Sequence, residues 1–263
     1  HQEEINRINV FPVADKDTGY NLAATLLGVE GVINQREYNS ISELAKDIKE
    51  GAMMNARGNA GMIFTGYLIG VLDRIKNLET INALRLSLAM KKGIKSAYFS
   101  ILNPTEGTIL DVIKVSGEKA FEVAKEKKEK NIIRILEEAY QVSQKALAET
   151  KEKLQVLKEN DVVDAGALGF VKILEAWIES LKGIALKKEE KFEPLVSELR
   201  PEEKLEYQYD LVFTLRKTDS SKIKRFKNEL TSFGGSIDVL EVEDKIKIHV
   251  HTNLPEKLKE KAK

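Results

Sequence analysis

Two carboxylates set two residues apart, Asp15 and Asp17, are the residues of this chain best suited to chemistry. They lie in the stretch Asn9-Val10-Phe11-Pro12-Val13-Ala14-Asp15-Lys16-Asp17-Thr18-Gly19-Tyr20-Asn21, just ahead of a helical pattern. In an extended or turning segment, side chains at i and i+2 converge on one ion. Magnesium takes oxygen ligands and is commonly held by one or two carboxylates plus phosphates, so the pair suits a magnesium-bound phosphate ester. The helix start that follows would add unpaired N–H donors for an anion. The same residues also suit a plain turn in which Asp17 caps the helix.

Three further junctions share this character. Asn55-Ala56-Arg57-Gly58-Asn59-Ala60-Gly61 interrupts one helical pattern and opens the next. Its glycines permit close backbone approach to a phosphate, and Arg57 and Asn59 offer polar side chains. Pro104-Thr105-Glu106-Gly107-Thr108-Ile109 and Val162-Val163-Asp164-Ala165-Gly166-Ala167-Leu168-Gly169 each open another helix. Singly, each reads equally as a tight corner or a cap. Four such junctions in one helical region point to one rim where several helix ends meet. Far downstream, His249-Val250-His251 puts two imidazoles on one strand face, a pairing that suits zinc or a solvent-facing strand.

The elements that must position these groups are legible from periodicity. From Thr18 to about Lys182, apolar residues recur at helical spacing between short Gly, Asn or Pro breaks. Ser40 with Glu43 forms a capping box, Thr80 precedes a helix with Ile81, Leu84 and Leu88 on one face, and Ile132, Ile135, Leu136, Ala139 and Val142 form another stripe. The period fails after Gly183, and Lys187-Lys188-Glu189-Glu190-Lys191 runs toward Pro194 and Pro201 as a linker. Beyond it the period becomes two, giving strands through Tyr207–Leu215, Ile237–Leu240 and Ile246–Val250, with a helix near Ser220–Phe233 and a tight turn at Glu243-Asp244. The domains expected are 1–186, a linker at 187–204, and a small β-α-β-β unit at 205–263. The 263 residues carry 42 basic and 42 acidic side chains, which gives no electrostatic footprint for nucleic acid. No apolar run reaches the roughly 18 residues of a membrane span. The absence of cysteine excludes thiolate chemistry and disulfides, and fits a cytoplasmic location.

The ordered set of junctions resembles the ATP-binding subunit of bacterial fatty acid kinase, a relative of the dihydroxyacetone kinase L subunit. The resemblance implies a mainly α fold, an antiparallel barrel of about eight helices, followed by a small α/β domain. It implies an ATP-dependent phosphotransferase using ATP or ADP and Mg2+, with a fatty acid carboxylate as acceptor, presented by a fatty-acid-binding partner protein. A small ketone acceptor is the alternative, as in dihydroxyacetone kinase. A nucleotide-binding regulator and a metal-dependent phosphatase are the readings from other classes. Asp15 and Asp17 fall on the family's magnesium-binding, catalytic aspartates, with Asn9 near a third ligand position. Thr18, Asn21, Gly58, Asn59, Gly61, Thr108, Asp164 and Gly166 fall on the nucleotide rim. Asp210, His249 and His251 align with a zinc site, Asp210 standing where the family has cysteine, in a position that would brace the second domain or dock a partner. The sequence departs from the family at Lys16, usually glycine, at Tyr20, expected as threonine near the phosphates, at Ala60, usually serine, and at Ala167, commonly glycine. The resemblance also implies a further domain beyond Lys263 and leaves a homodimer open.

Overall fold

A computed structural model describes residues 1–184, 206–217 and 220–262. The linker expected at 187–204 lies outside the described residues. A short helix α1 (Gln2–Arg7) precedes α2 (Thr18–Ile33), α3 (Ile41–Asn55), α4 (Gly58–Ile75), α5 (Ala83–Phe99), α6 (Ile109–Lys125), α7 (Ile132–Lys153), α8 (Gln155–Glu159) and α9 (Ala165–Leu181). Helices α4, α5, α6, α7 and α9 pack in succession, and α9 and α4 both meet α2, which closes the ring. Leu110, Ile113, Phe64, Tyr67, Ile135, Phe170 and Leu174 fill it, with Tyr67 and Phe170 edge to face at 5.4 Å. No described helix is long and apolar enough to cross a membrane.

Local chemistry sets the helix starts. The Ser40 Oγ accepts from Glu43 N at 3.2 Å, as the capping box requires, and the Asn131 side chain accepts from Ile133 N at 2.8 Å. The helix expected after Thr80 begins instead at Ala83, where Asn82 caps Arg85 N at 2.9 Å, and Leu84 is exposed. The Asn82 cap sets this start, and further along α5 meets α4 through small residues such as Gly93, where a Cβ would lie 2.7 Å from the Tyr67 ring.

The second unit holds β1 (Tyr209–Arg216), α10 (Ser220–Glu229), a 3-10 turn at Leu230–Ser232, β2 (Gly234–Val242), β3 (Lys245–Thr252) and α11 (Pro255–Ala262). Its sheet is antiparallel in the order β1-β3-β2. One face, with Ile246, Ile248, Val250, Leu211 and Phe213, packs with Leu230 and Leu258. The other face lies against the helices: Leu240 joins Ala56 and Met62, and the Lys247 ammonium donates to the Met53 and Met54 carbonyls at 2.8 and 2.9 Å. Those carbonyls belong to the last turn of α3, whose acceptors have no partner within the helix. Strand β2 is also tied to the α5–α6 loop, with Val239 N donating to Ser100 O at 2.7 Å and Leu102 N to Ile237 O at 3.0 Å. A strand face that alternation alone would assign to solvent is thereby buried.

Candidate functional site

The loop before α2 is built by two asparagines. Asn9 is buried, and its Oδ1 accepts from Asp17 N, Thr18 N and Thr18 Oγ1 at 3.2, 3.0 and 2.8 Å, while its Nδ2 donates to Val13 O at 3.0 Å. Asn6 Oδ1 accepts from Gly19 N and Tyr20 N at 2.7 and 3.1 Å. Two expectations are corrected here. Asn9 has its oxygen engaged by three donors, so it holds the loop and does not present a ligand atom to an ion. The N–H groups at the start of α2 are likewise taken, so this helix end is no open anion site. Asp17 occupies the cap position without making the side-chain cap bond, which leaves its carboxylate for other work.

That carboxylate sits beside Asp15. Burial, together with the charge of Asp17 and a hydrogen bond to it, pushes the Asp15 carboxyl up to about 7. Two acids pressed together in a partly buried loop present the hard oxygen donors that a divalent cation takes. Between them Lys16 adopts φ +59°, the left-handed region that favours glycine, which accounts for the glycine common at this position in the family it resembles.

The other junctions meet this loop around one cavity of about 280 Å³. Its lining includes Asp15, Asp17, Thr18, Asn21, Gly58, Asn59, Thr108, Asp164 and Gly166. Gly58 has φ +56°, and a Cβ there would lie 2.5 Å from Asn21 Nδ2, so conformation favours glycine and any side chain would have to displace Asn21. The start of α4 has no side-chain cap, whereas Thr108 caps α6 through Leu110 N at 3.4 Å and Asp164 caps α9 through Ala167 N at 2.7 Å. Of the four junctions, the Gly58–Ala60 end is the one whose helix donors no side chain takes. Burial raises Asp164 from its ordinary 3.8 to about 6 against the pull of that backbone N–H. Gly61 is corrected: it does not line the cavity, and a Cβ there would lie 3.0 Å from Thr25 Oγ1, as at a helix-contact glycine. Tyr20, expected near the phosphates, is not among the lining residues either.

The opposite wall of the same cavity comes from the sheet. Asp210 and His251, with Ser236 and Ile237, complete the lining, and the Asp17 charge reaches His251. The imidazole pair is therefore not remote from the acidic loop, as its position in the chain implied. Asp210 faces His251 across the β1–β3 pairing, and its Oδ1 lies 3.0 Å from His249 Nε2. The ligand atoms of Asp210, His249 and His251 all lie within 4.8 Å of one another, with the two rings 5.0 Å apart. His249 itself is fully buried, so the solvent-facing reading of this strand pair does not hold. Sequence reasoning missed Asp238, whose Oδ2 is 2.8 Å from His249 Nδ1 with both side chains fully buried. A lone acid in the apolar run Ile237-Asp238-Val239-Leu240 was the available signal. Burial opposes charge on His249, yet the two flanking carboxylates raise it to about 10. The three groups fit a small cation with nitrogen and oxygen ligands: Nε2 is buried, makes no well-aligned hydrogen bond, and lies 3.0 Å from the Asp210 carboxylate.

Comparison with known proteins accords with this architecture. Residues 12–179 match the model of the DAK2 domain, and residues 206–263 match that of the fatty acid kinase A-like middle domain. The chain belongs to the DAK2 family, of the fatty acid kinase type. Family membership supports a kinase-related or nucleotide-binding role. A Staphylococcus saprophyticus protein is 32% identical over 269 residues, covering 97% of this chain and 48% of the relative. A Staphylococcus aureus protein is 30% identical over 272 residues, with coverage of 97% and 48%. This DAK2 chain thus spans about half the length of the curated relatives it matches. The dihydroxyacetone kinase of C. freundii, solved in complex with AMP-PNP and Mg2+, superposes with a TM-score of 0.50 at 15% identity, over 68% of this chain and 30% of that one. Its native form gives 0.50 at 17% identity, over 68% and 31%. These likenesses establish a shared helical fold.

Proposed function

We propose that this chain is the nucleotide-binding part of an ATP-dependent phosphotransferase of the fatty acid kinase kind. The observation that carries the reading is the single cavity whose one wall is an acidic loop with an uncapped glycine turn and whose other wall is a carboxylate–imidazole cluster. Asp15 and Asp17 would hold magnesium, and the Gly58–Asn59 turn would take nucleotide phosphates through its backbone N–H groups. Magnesium, when bound, supplies neutralisation of phosphate charge. Phosphoryl transfer asks for positioning and charge compensation more than covalent help, and a rim assembled from helix ends is suited to both.

The acceptor belongs on the sheet side. Asp210, His249 and His251 would hold zinc there, three protein ligands leaving a position open toward the cavity. A fatty acid carboxylate brought by a lipid-binding partner protein is the acceptor we infer, because the second unit is of the fatty acid kinase type. Replacing Asp15 and Asp17 together with Ala is expected to abolish magnesium-dependent ADP binding in calorimetry while leaving helical circular dichroism unchanged. Unaltered affinity in that double variant would remove the assignment. Formation of acyl phosphate with the partner, against phosphorylation of dihydroxyacetone, separates the two acceptor classes.

A further inference from the structure

Asp238 is a buried acid that the phosphate-side chemistry does not use. It stands opposite His249 in the β2–β3 pairing, directly after a bulge at which the register shifts between Gly235 and Asp238. Ser236 within that bulge has φ +49°, a strained value for a residue with a side chain. The backbone on either side is then locked to the helical unit, with Ile101 bridged to Asp238 itself. The bulge and the bridge together fix which way the Asp238 side chain points. It points at Nδ1 of His249 at 2.8 Å, in a place where both residues have no solvent exposure.

An ionised carboxylate only accepts hydrogen bonds, so a bond at this distance requires the proton on Nδ1. The other ring nitrogen is then the one available to a cation, and it faces Asp210 and, across the paired rings, His251. We propose that Asp238 is the positioning residue of the carboxylate–imidazole cluster, holding the Nδ1 proton of His249 so that Nε2 is presented to a divalent cation shared with Asp210 and His251. The inference rests on the reading that this cluster takes such a cation. Carboxylates behind metal-bound imidazoles fix the ring and strengthen it as a ligand, and their loss typically weakens metal binding by about 10- to 100-fold.

The test uses cobalt(II) and zinc as probes on the whole chain. Cobalt titration of the unaltered protein, read by its visible absorption, is expected to show one tight site that zinc displaces. Asp238→Ala is expected to weaken that site by about 10- to 100-fold, and Asp238→Asn, which keeps an acceptor oxygen, to recover part of the loss. Nitrogen-15 spectra of the zinc-loaded unaltered protein are expected to show His249 protonated at Nδ1 and metal-bound at Nε2, a readout that does not depend on either variant folding. If the unaltered chain takes up no cobalt, the cation reading and this inference fall together. If it binds cobalt but both folded variants bind as tightly, or if His249 is bound through Nδ1, the role of Asp238 falls and the cation site stands.

Discussion

Asp164 illustrates how a buried cavity-lining acid is kept at a cost to the fold. Its carboxyl is buried and raised to about 6, so the folded chain holds this proton more readily than the unfolded chain, whose value is the ordinary 3.8. The contribution to stability is therefore greatest below about pH 4 and is lost as pH rises through 6, at about 1.4 kcal/mol per unit. Urea unfolding from pH 4 to 7 should show the unaltered chain losing ground to Asp164→Asn by about 2–3 kcal/mol. Parallel profiles would mean that Asp164 does not titrate in this window. Lys16 makes a second case. At φ +59° a residue with a side chain carries about 1–2 kcal/mol of steric strain, which glycine avoids while losing more chain entropy on folding. Lys16→Gly is expected to leave the unfolding midpoint unchanged or higher, whereas Lys16→Val should destabilise the chain by about 1–3 kcal/mol in the same urea measurement.

At the level of elements, the junction between β3 and the end of α3 concentrates the docking chemistry. The Lys247 side chain is buried, and it serves the two carbonyls that α3 leaves without a partner. Lys247→Ala removes both donors and keeps both acceptors buried, a loss expected to cost about 2–4 kcal/mol. Chemical denaturation measures that directly, and a change within experimental scatter would show that water replaces the ammonium at no cost. A similar division of labour appears at the helix starts. Asn6 and Asn9 satisfy α2, Thr108 satisfies α6, Asp164 satisfies α9, and α4 is left to whatever enters the cavity.

For the whole molecule, the cavity exists because the sheet is seated on the helices. Leu240, packed with Ala56 and Met62, which flank the Gly58–Asn59 turn, is a buried contact between the two units. Leu240→Asp forces a charge into that contact. Under the proposed function, it is expected to depress phosphoryl transfer by about 100-fold through misplacement of the sheet wall. Magnesium-ADP affinity should change by only a few-fold, because Asp15, Asp17 and Asn59 all come from the helical unit. Equal losses of transfer and of nucleotide affinity would show that the two walls do not act separately.

The amino-acid sequence alone determined the main helices and strands and their order, though not the short α1, because caps, turns and apolar periodicity are local. Ser40 with Glu43, the Glu243-Asp244 turn and the period-two strands are all read within a few residues of where they act. It also located Asp15, Asp17, Gly58 and Asn59 on a common rim, since glycine at a helix start restricts what the backbone there can be doing. Tertiary structure decided which polar groups remain available. Asn9 is committed to its own loop through Val13, Asp17 and Thr18, a folding-back that residue type does not announce, and Gly61 to helix packing against Thr25, a partner in another segment. His249 is buried because the second sheet face is covered by α3 and α4, and alternation along a strand cannot say which face meets solvent. Asp238 reaches His249 only through the strand register and a bulge, both set by pairing between segments.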